Sequence, residues 1–308
     1  MISMLSIIVP CYNEEATVAL YYEELKKYLP ELGEYELLFV NDGSKDETLK
    51  KCLEIKAQDS NCRIIDFSRN FGKEAAMLAG MSVAKGDYVV ITDADLQDPP
   101  KLLPEMLKIL KADEHLDSVA TYRVNRKGEP VIRSFFARCF YKLINKMIDI
   151  NIVDGARDYR MMTSRMVKAV LSLSEVNRFS KGIFAWVGFE TKYLEYENVE
   201  RAAGETKWSF WKLFRYALDG IVGFTTIPLR LATIAGLLVS AFGFIYMIYI
   251  VIKALAFGDP VAGFPSLIVI ITLLGGIQLI VLGILGEYLA KTYMETKRRP
   301  VYIIRDIL

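Results

Sequence analysis

Two stretches without a single charged side chain constrain this chain more than any other feature. Residues 231–252 and 264–286 each run for about 22 residues with no Asp, Glu, Lys or Arg. At ~1.5 Å rise per residue, a helix of that length covers roughly 33 Å, enough to cross a bilayer. A buried soluble helix is the competing reading, and the length of both runs weighs against it. The short link AFGDPVAG joins them into a hairpin and carries only Asp259. Arg230 precedes the hairpin, and Lys291, Lys297, Arg298 and Arg299 follow it. Cations collect on the cytoplasmic side of membrane proteins. Both ends of the hairpin, and all that precedes it, are therefore expected in the cytoplasm, with the link outside. Gly236, Gly243, Gly275, Gly276, Gly283 and Gly286 would let helices pack closely, within the hairpin or between subunits.

The first half reads differently. LSIIVP (5–10), YELLFVNDGS (35–44), CRIIDFS (62–68) and DYVVITDAD (87–95) are strand-like. Between them, residues 14–29, 46–58 and 73–84 have helical spacing, the first with Val18, Tyr21, Tyr22, Leu25 and Leu29 on one side. This rhythm predicts an α/β domain with a mostly parallel sheet covered by helices. Ligands of such sheets bind beyond the carboxyl ends of the strands. The segments there, PCYNEE, NDGSKD, SRNFGK and DADLQDPP, are all polar. No G-x-G-x-x-G follows the first strand and no G-x-x-x-x-G-K-[ST] occurs, which disfavours dinucleotide and P-loop sites. MISMLSIIVPCYNEE lacks a basic region before its apolar run and reads as a first strand, not a signal peptide.

Net charge is +1, but it is unevenly distributed. Residues 1–122 hold 13 basic and 22 acidic side chains, a balance of −9. Residues 123–168 hold 11 and 4, a balance of +7 that suits an anionic partner. The sole histidine, His115, lies in the polar stretch KADEHLDS and reads as a surface residue, so His-rich zinc sites and a Ser-His-Asp triad are excluded or disfavoured. Cys11, Cys52, Cys62 and Cys139 form no C-x-x-C pair and fit a reducing compartment without disulfides. Within RSFFARCFYKLINKMI (133–148), Phe136, Phe140, Leu143, Ile144 and Met147 share a helical face. Arg133, Arg138, Lys142 and Lys146 lie largely elsewhere. Such a basic amphipathic helix suits a membrane surface, or else covers the soluble core. WSFWKLFRYALDGIVGF (208–224) reads as a second interfacial helix.

DADLQDPP (93–100) carries the strongest chemical signal. Asp93 and Asp95 at a strand end can reach one divalent metal, and Gln97 adds a neutral oxygen. Hard oxygen ligands suit Mg²⁺ or Mn²⁺. A D-x-D in isolation is often a solvated turn. Tyr12 can contact a base or ribose, and Glu14 and Asp42 can accept hydrogen bonds from one. Singly, each could equally be a capping or turn residue.

Taken together, VPCYNEE, VNDGSKDET, SRNFGKEAAMLAG and DADLQDPP closely resemble family 2 glycosyltransferases of the GT-A fold. More narrowly the chain resembles the polyprenyl-phosphate glycosyltransferases, which include dolichyl-phosphate mannose synthases and bacterial undecaprenyl-phosphate glucosyltransferases. The likeness continues through DYRMM (158–162), RFSKGIFAWVGF (178–189) and RAAGETKWSFWKLF (201–214) and ends in the hairpin. The resemblance implies a GT-A domain with a mixed, mostly parallel sheet, then amphipathic interfacial helices and a two-helix transmembrane hairpin. On this basis residues 1–132 form the nucleotide-sugar and metal-binding core. Residues 133–226 form the acceptor side, and residues 227–308 the hairpin and cytoplasmic tail.

The resemblance also implies roles. Pro10, Tyr12, Glu14, Asp42, Asp93 and Ala94 would hold a nucleotide-sugar. Asp93, Asp95 and Gln97 would ligate Mg²⁺ or Mn²⁺. Arg123, Arg133 and Lys207 would meet phosphates of donor or acceptor. Asp158 and Asp95 would be the catalytic carboxylates, Asp158 as a base or acceptor-orienting acid. Thr206-Lys207-Trp208 departs from the usual S-K-Y-like segment but keeps the lysine. The implied reaction moves a sugar, glucose in this branch, from a UDP-sugar to undecaprenyl phosphate at the cytoplasmic face of the inner membrane. The implied partners are those substrates and the lipid bilayer, with no nucleic acid, and the resemblance implies a homo-oligomer such as a tetramer. N-acetylhexosamine, galactose, mannose or modified arabinose are alternative sugars. A processive polysaccharide synthase is a rival, but none of Gln58, Gln97 and Gln278 begins the Q-x-x-R-W pattern it would need. A non-catalytic nucleotide-binding membrane scaffold is a second rival, disfavoured by the intact carboxylates.

Overall fold

The computed structural model describes residues 3–123, 145, 153, 155–196, 220–257 and 263–308. The chain divides into two units. The first comprises Met1–Ala217 with Arg299–Leu308, and the second Leu218–Arg298.

The first unit alternates strand and helix as the sequence rhythm predicts. In order come β1 (Leu5–Cys11), α1 (Val18–Lys26), α2 (Leu29–Leu32), β2 (Tyr35–Asn41), α3 (Thr48–Lys56), β3 (Cys62–Phe67), α4 (Lys73–Val83) and β4 (Tyr88–Ile91). Then follow α5 (Leu103–Ala112), β5 (Ser118–Arg123), β6 (Ala156–Thr163), α6 (Ser164–Ser172), α7 (Ser180–Trp186) and β7 (Thr191–Tyr196). A last strand, β8 (Ile304–Ile307), closes the chain. The predicted boundaries shift by a few residues for local reasons. The first helix starts at Val18, not at residue 14, because the segment before it is a turn with Asn13 at φ 52°. β4 stops at Ile91, short of the predicted residue 95, because the chain then turns through Leu96 at φ 60°.

The eight strands form one sheet in the order β7-β5-β6-β4-β1-β2-β3-β8. β1 pairs in parallel with both β2 and β4, and β2 with β3. β6 runs antiparallel between β4 and β5, so the sheet is mixed and mostly parallel, as expected. The chain steps from β1 to β2 and β3 on one side, then returns to place β4 on the other. The crevice between the carboxyl ends of β1 and β4 is therefore a topological switch point, where ligands of open α/β sheets bind. β8 joins the far edge antiparallel to β3, where Tyr302 stacks on Phe67 with ring centroids 5.3 Å apart. Cys11, Cys52 and Cys62 are buried and unbridged, and His115 is exposed.

The second unit contains α8 (Ile227–Phe257, 31 residues) and α9 (Phe264–Thr296, 33 residues), which enclose the two uncharged runs and extend beyond them. Both are long and apolar enough to cross a membrane. Leu237, Phe242, Leu279 and Leu289 are each at least 66% exposed, an apolar surface that water would not tolerate on a soluble helix. The Tyr288 hydroxyl donates to the Thr225 carbonyl at 2.5 Å. The amphipathic stretch 133–148 lies outside the described residues except for Asn145, which is helical, and 208–224 is described only over 220–224, also helical.

Close packing of α4 on β1 depends on Gly80, where a Cβ would lie 2.3 Å from Cγ2 of the fully buried Ile8. Gly80→Ala should cost about 1–3 kcal/mol by overpacking. A denaturant midpoint unchanged from wild type would contradict this packing.

Candidate active site

The motif after β4 is a turn wrapped around a buried carboxylate. Asp98 is 1% exposed. Its Oδ2 accepts the Asp93 N–H at 3.2 Å, and its Oδ1 accepts from Arg157 Nη2 at 3.2 Å and from the Tyr196 hydroxyl at 3.4 Å. Beside it, Asp95 Oδ1 accepts the Gln97 N–H at 3.1 Å. Asp98 is thus the anchor of the loop that presents Asp93, Asp95 and Gln97. Burial pushes the Asp98 carboxyl up, and Arg157 partly opposes this.

Strand β6 brings the second half of the site. Its antiparallel register on β4 pairs Ile91 with Arg160. Asp93 follows the end of β4, and Asp158 lies in β6 two residues before Arg160. Two carboxylates brought close to one another repel, and here a cation lies between them. The Lys73 ammonium is 2.7 Å from Asp93 Oδ1, 2.9 Å from Asp93 Oδ2 and 3.0 Å from Asp158 Oδ2. Arg157 Nη2 adds a contact to Asp93 Oδ2 at 3.8 Å. The charges alternate along the line Asp98, Arg157, Asp93, Lys73, Asp158.

This alternation sets the ionisation of its members. Burial would raise the Asp158 carboxyl, but Lys73, Lys181 and Arg157 outweigh it and hold the group well below the usual carboxylate range. Burial works against the Lys73 ammonium, yet Asp93 and Asp158 hold it well above its ordinary value. The side chains keep 20% exposure at Asp158, 24% at Asp93 and 36% at Lys73, so a ligand can reach the cluster. Asp158 Oδ1 has no hydrogen-bond partner among the described residues.

The loops after β1, β2 and β3 form the other wall. Pro10, Tyr12 and Glu14 lie at the end of β1, all partly exposed, and Glu14 Oε2 accepts from the Thr17 hydroxyl at 2.7 Å. Asp42, 3% exposed, accepts from Asn70 Nδ2 at 2.9 Å and from the N–H groups of Phe71 at 2.6 Å and Gly72 at 2.9 Å. Burial raises its carboxyl, and the two backbone N–H groups oppose the rise. It acts first on the loop that leads into α4. Gly43 (φ 62°) lets that loop approach, since a Cβ there would fall 2.3 Å from the Arg69 carbonyl carbon.

The fold brings Asp93, Ala94, Asp95, Gln97 and Asp158 together at the end of β4 and the start of β6, with Ala94 buried. Arg123 ends β5, and the residue before it pairs with Ala156, just ahead of Arg157. Arg133 and Lys207 lie outside the described residues. Sequence reasoning missed Lys73, Arg157 and Asp98. One signal was available for Lys73. It is the first residue of α4, and a cation there opposes the helix dipole, so its position calls for another explanation.

Among the described residues no three His, Cys, Asp or Glu side chains are grouped to hold a metal. Magnesium-type sites that act on nucleotides commonly use one or two carboxylates and leave the other positions to water and substrate phosphates. Asp95, Asp93 and the Gln97 amide supply hard oxygens in the number such a site needs.

Fold and site define a GT-A-like α/β domain with an acidic, cation-bridged site at its switch point. The pattern of glycosyl transferase family 2 matches residues 6–171, more than half of the chain, and the protein belongs to that family. It is 45% identical to the putative glycosyltransferase CsbB of Bacillus subtilis (strain 168), over 98% of this chain and 92% of that one. It is 41% identical to the prophage bactoprenol glucosyl transferase homolog of Escherichia coli (strain K12), over 98% and 99%. It is likewise 41% identical to the bactoprenol glucosyl transferase of Shigella phage SfV, over 98% of each chain.

Asp98→Ala should destabilise the first unit by about 3 kcal/mol, because Arg157 loses its buried partner. Unfolding by denaturant measures the loss, and a change under ~0.5 kcal/mol would mean that Asp98 does not anchor the loop.

Proposed function

We propose that the protein transfers a sugar, glucose in the first instance, from a UDP-sugar to a polyprenyl phosphate at the cytoplasmic face of the membrane. The observation that carries this reading is the 41% identity to a bactoprenol glucosyl transferase over 98% of both chains, a span that includes both apolar helices as well as the site. A bactoprenol acceptor is a lipid, which accounts for an α/β domain joined to a membrane hairpin. Two crossings return the chain to its starting side, and the cations flanking the hairpin favour the cytoplasm for that side.

The chemistry follows from the acceptor. A phosphate monoester has its second pKa near ~6, so its oxygen is largely ionised at neutral pH. It attacks the anomeric carbon as the bond to UDP breaks, and the electron pair leaves with the UDP oxygen. No proton need be removed. The configuration inverts, so an α-linked donor gives a β-linked lipid phosphate. Asp158, held ionised by Lys73, orients and shapes the local field rather than taking a proton. Tyr12, Glu14 and the loop fixed by Asp42 would receive the nucleoside. Arg123, Arg133 and Lys207 would offset the charge of two anionic substrates brought close together. Asp93, Asp95 and Gln97 would hold Mg²⁺ or Mn²⁺, which supplies charge neutralisation to the departing diphosphate.

UDP release from UDP-glucose should depend on added undecaprenyl phosphate and fall about 100-fold or more in EDTA. A panel of UDP-sugars assigns the sugar. Acceptor-independent release alone, or none with any donor, would overturn the proposal.

The rate should decline as pH falls through ~6, where the acceptor phosphate gains its proton. Asp158 does not set that limb. Its folded pKa is depressed, so its charge and any stability linked to it are lost only in more acidic solution. Asp158→Asn should lower the rate by about 10- to 100-fold at every pH and leave the acid limb in place. A limb displaced in the variant would make Asp158 the base.

A further inference from the structure

Lys73 is neither a metal ligand nor a phosphate ligand in the scheme above, yet it touches both carboxylates at the centre of the site. We propose that Lys73 is the positioning cation of the transfer site. Its ammonium holds the donor-side Asp93 and the nearby Asp158 together, and it competes with a divalent ion for Asp93 until the donor arrives. This rests on the proposed reaction in one respect, the placing of Asp93 on the donor side.

Three observations carry the inference. First, the Lys73 ammonium lies 2.7 and 2.9 Å from the two Asp93 oxygens and 3.0 Å from Asp158 Oδ2, so one group engages both carboxylates at once. Second, the residues on either side of Lys73 are pinned. Gly72, at φ 98°, donates its N–H to Asp42, and the Glu74 carboxylate accepts the Ser180 N–H at 3.2 Å to each oxygen as well as the Ser180 hydroxyl. Lys73 is thereby set at the start of α4 by contacts that reach β2 and α7. Third, Asp93 follows β4 while Asp158 lies in β6, the strand paired antiparallel with it, and the one ammonium within 3.0 Å of both shows how close the two carboxylates come. Without a cation between them, both would draw in free metal ions and drift from the geometry the donor needs.

A rigid cation in that position has an unusual consequence. Removing it should improve binding of a divalent ion by itself and still impair turnover. A unit charge within ~4–6 Å of a carboxylate shifts its proton affinity by about 1–3 pKa units, so an effect of about tenfold on a metal ion is expected.

The test uses the full chain in detergent, with Mn²⁺ alone as the probe and no nucleotide present. In Lys73→Gln, Mn²⁺ binding should tighten about tenfold and kcat should fall by at least about tenfold. In Lys73→Arg, which keeps the charge, Mn²⁺ affinity should stay within about twofold of wild type. Its kcat should nevertheless fall, because a larger planar guanidinium cannot sit between the two carboxylates as the compact ammonium does. Unchanged or weaker Mn²⁺ binding in Lys73→Gln would overturn the proposal. If Lys73→Gln does not fold, Lys73→Arg decides: wild-type kcat, or Mn²⁺ affinity altered about tenfold, would overturn it. Failure of the proposed reaction is read separately, in wild-type protein, as no acceptor-dependent UDP release. The Mn²⁺ comparison between variants stands whatever that assay gives.

Discussion

Two carboxylates, Asp93 just after β4 and Asp158 in the neighbouring β6, converge on one ammonium at the mouth of the sheet, and the rest of the site answers their repulsion. Lys73 bridges the pair from the start of α4. Arg157 supports Asp93 from the other side and is itself held by the buried Asp98. Asp42 and Glu74 fix the residues flanking Lys73. Five elements therefore meet through charge at one point: the ends of β2 and β4, the start of β6, and the first residues of α4 and α7. A cluster of this kind is costly to assemble in low dielectric unless every charge has a partner. Alternation of sign along the line meets that condition.

The same arrangement fits the chemistry proposed for it. A sugar nucleotide and a lipid phosphate are both anions, and a site that joins them has to supply positive charge without neutralising the carboxylates that hold a metal. The first unit holds two cations, Lys73 and Arg157, beside Asp93, where they balance its charge until a metal ion and donor arrive. The acceptor arrives ionised, which removes the need for a strong base and for the histidine this chain nearly lacks. The two apolar helices then account for the lipid character of the acceptor.

Much of this was legible in the sequence, and the parts that were not share a cause. Strands β1 to β4 and their intervening helices follow from local periodicity, and the switch-point loops from their polar composition. PCYNEE, NDGSKD and DADLQDPP were recognisable as motifs because each is continuous. Lys73, Arg157 and Asp98 were not singled out, because their roles exist only through pairing between distant segments. The approach of Asp93 to Asp158 needs β6 to lie beside β4, a pairing between residues 88–91 and 160–163 that local sequence does not announce. β8 was missed for the same reason, being four residues long and paired with β3 from the far end of the chain. Asp42 was read as a ligand of a nucleoside, and its contacts to Asn70, Phe71 and Gly72, in the loop that leads into α4, were not legible for the same reason.

The central claim is that the nucleophile reaches the site already ionised and that Asp158, held ionised by Lys73, is no base. The most direct test compares two acceptors that differ only in the phosphate, undecaprenyl phosphate and undecaprenol, with the same UDP-sugar and the same protein. The account predicts sugar transfer to the phosphate and none to the alcohol, whose proton no residue is poised to remove. Transfer to the alcohol at a comparable rate would contradict it.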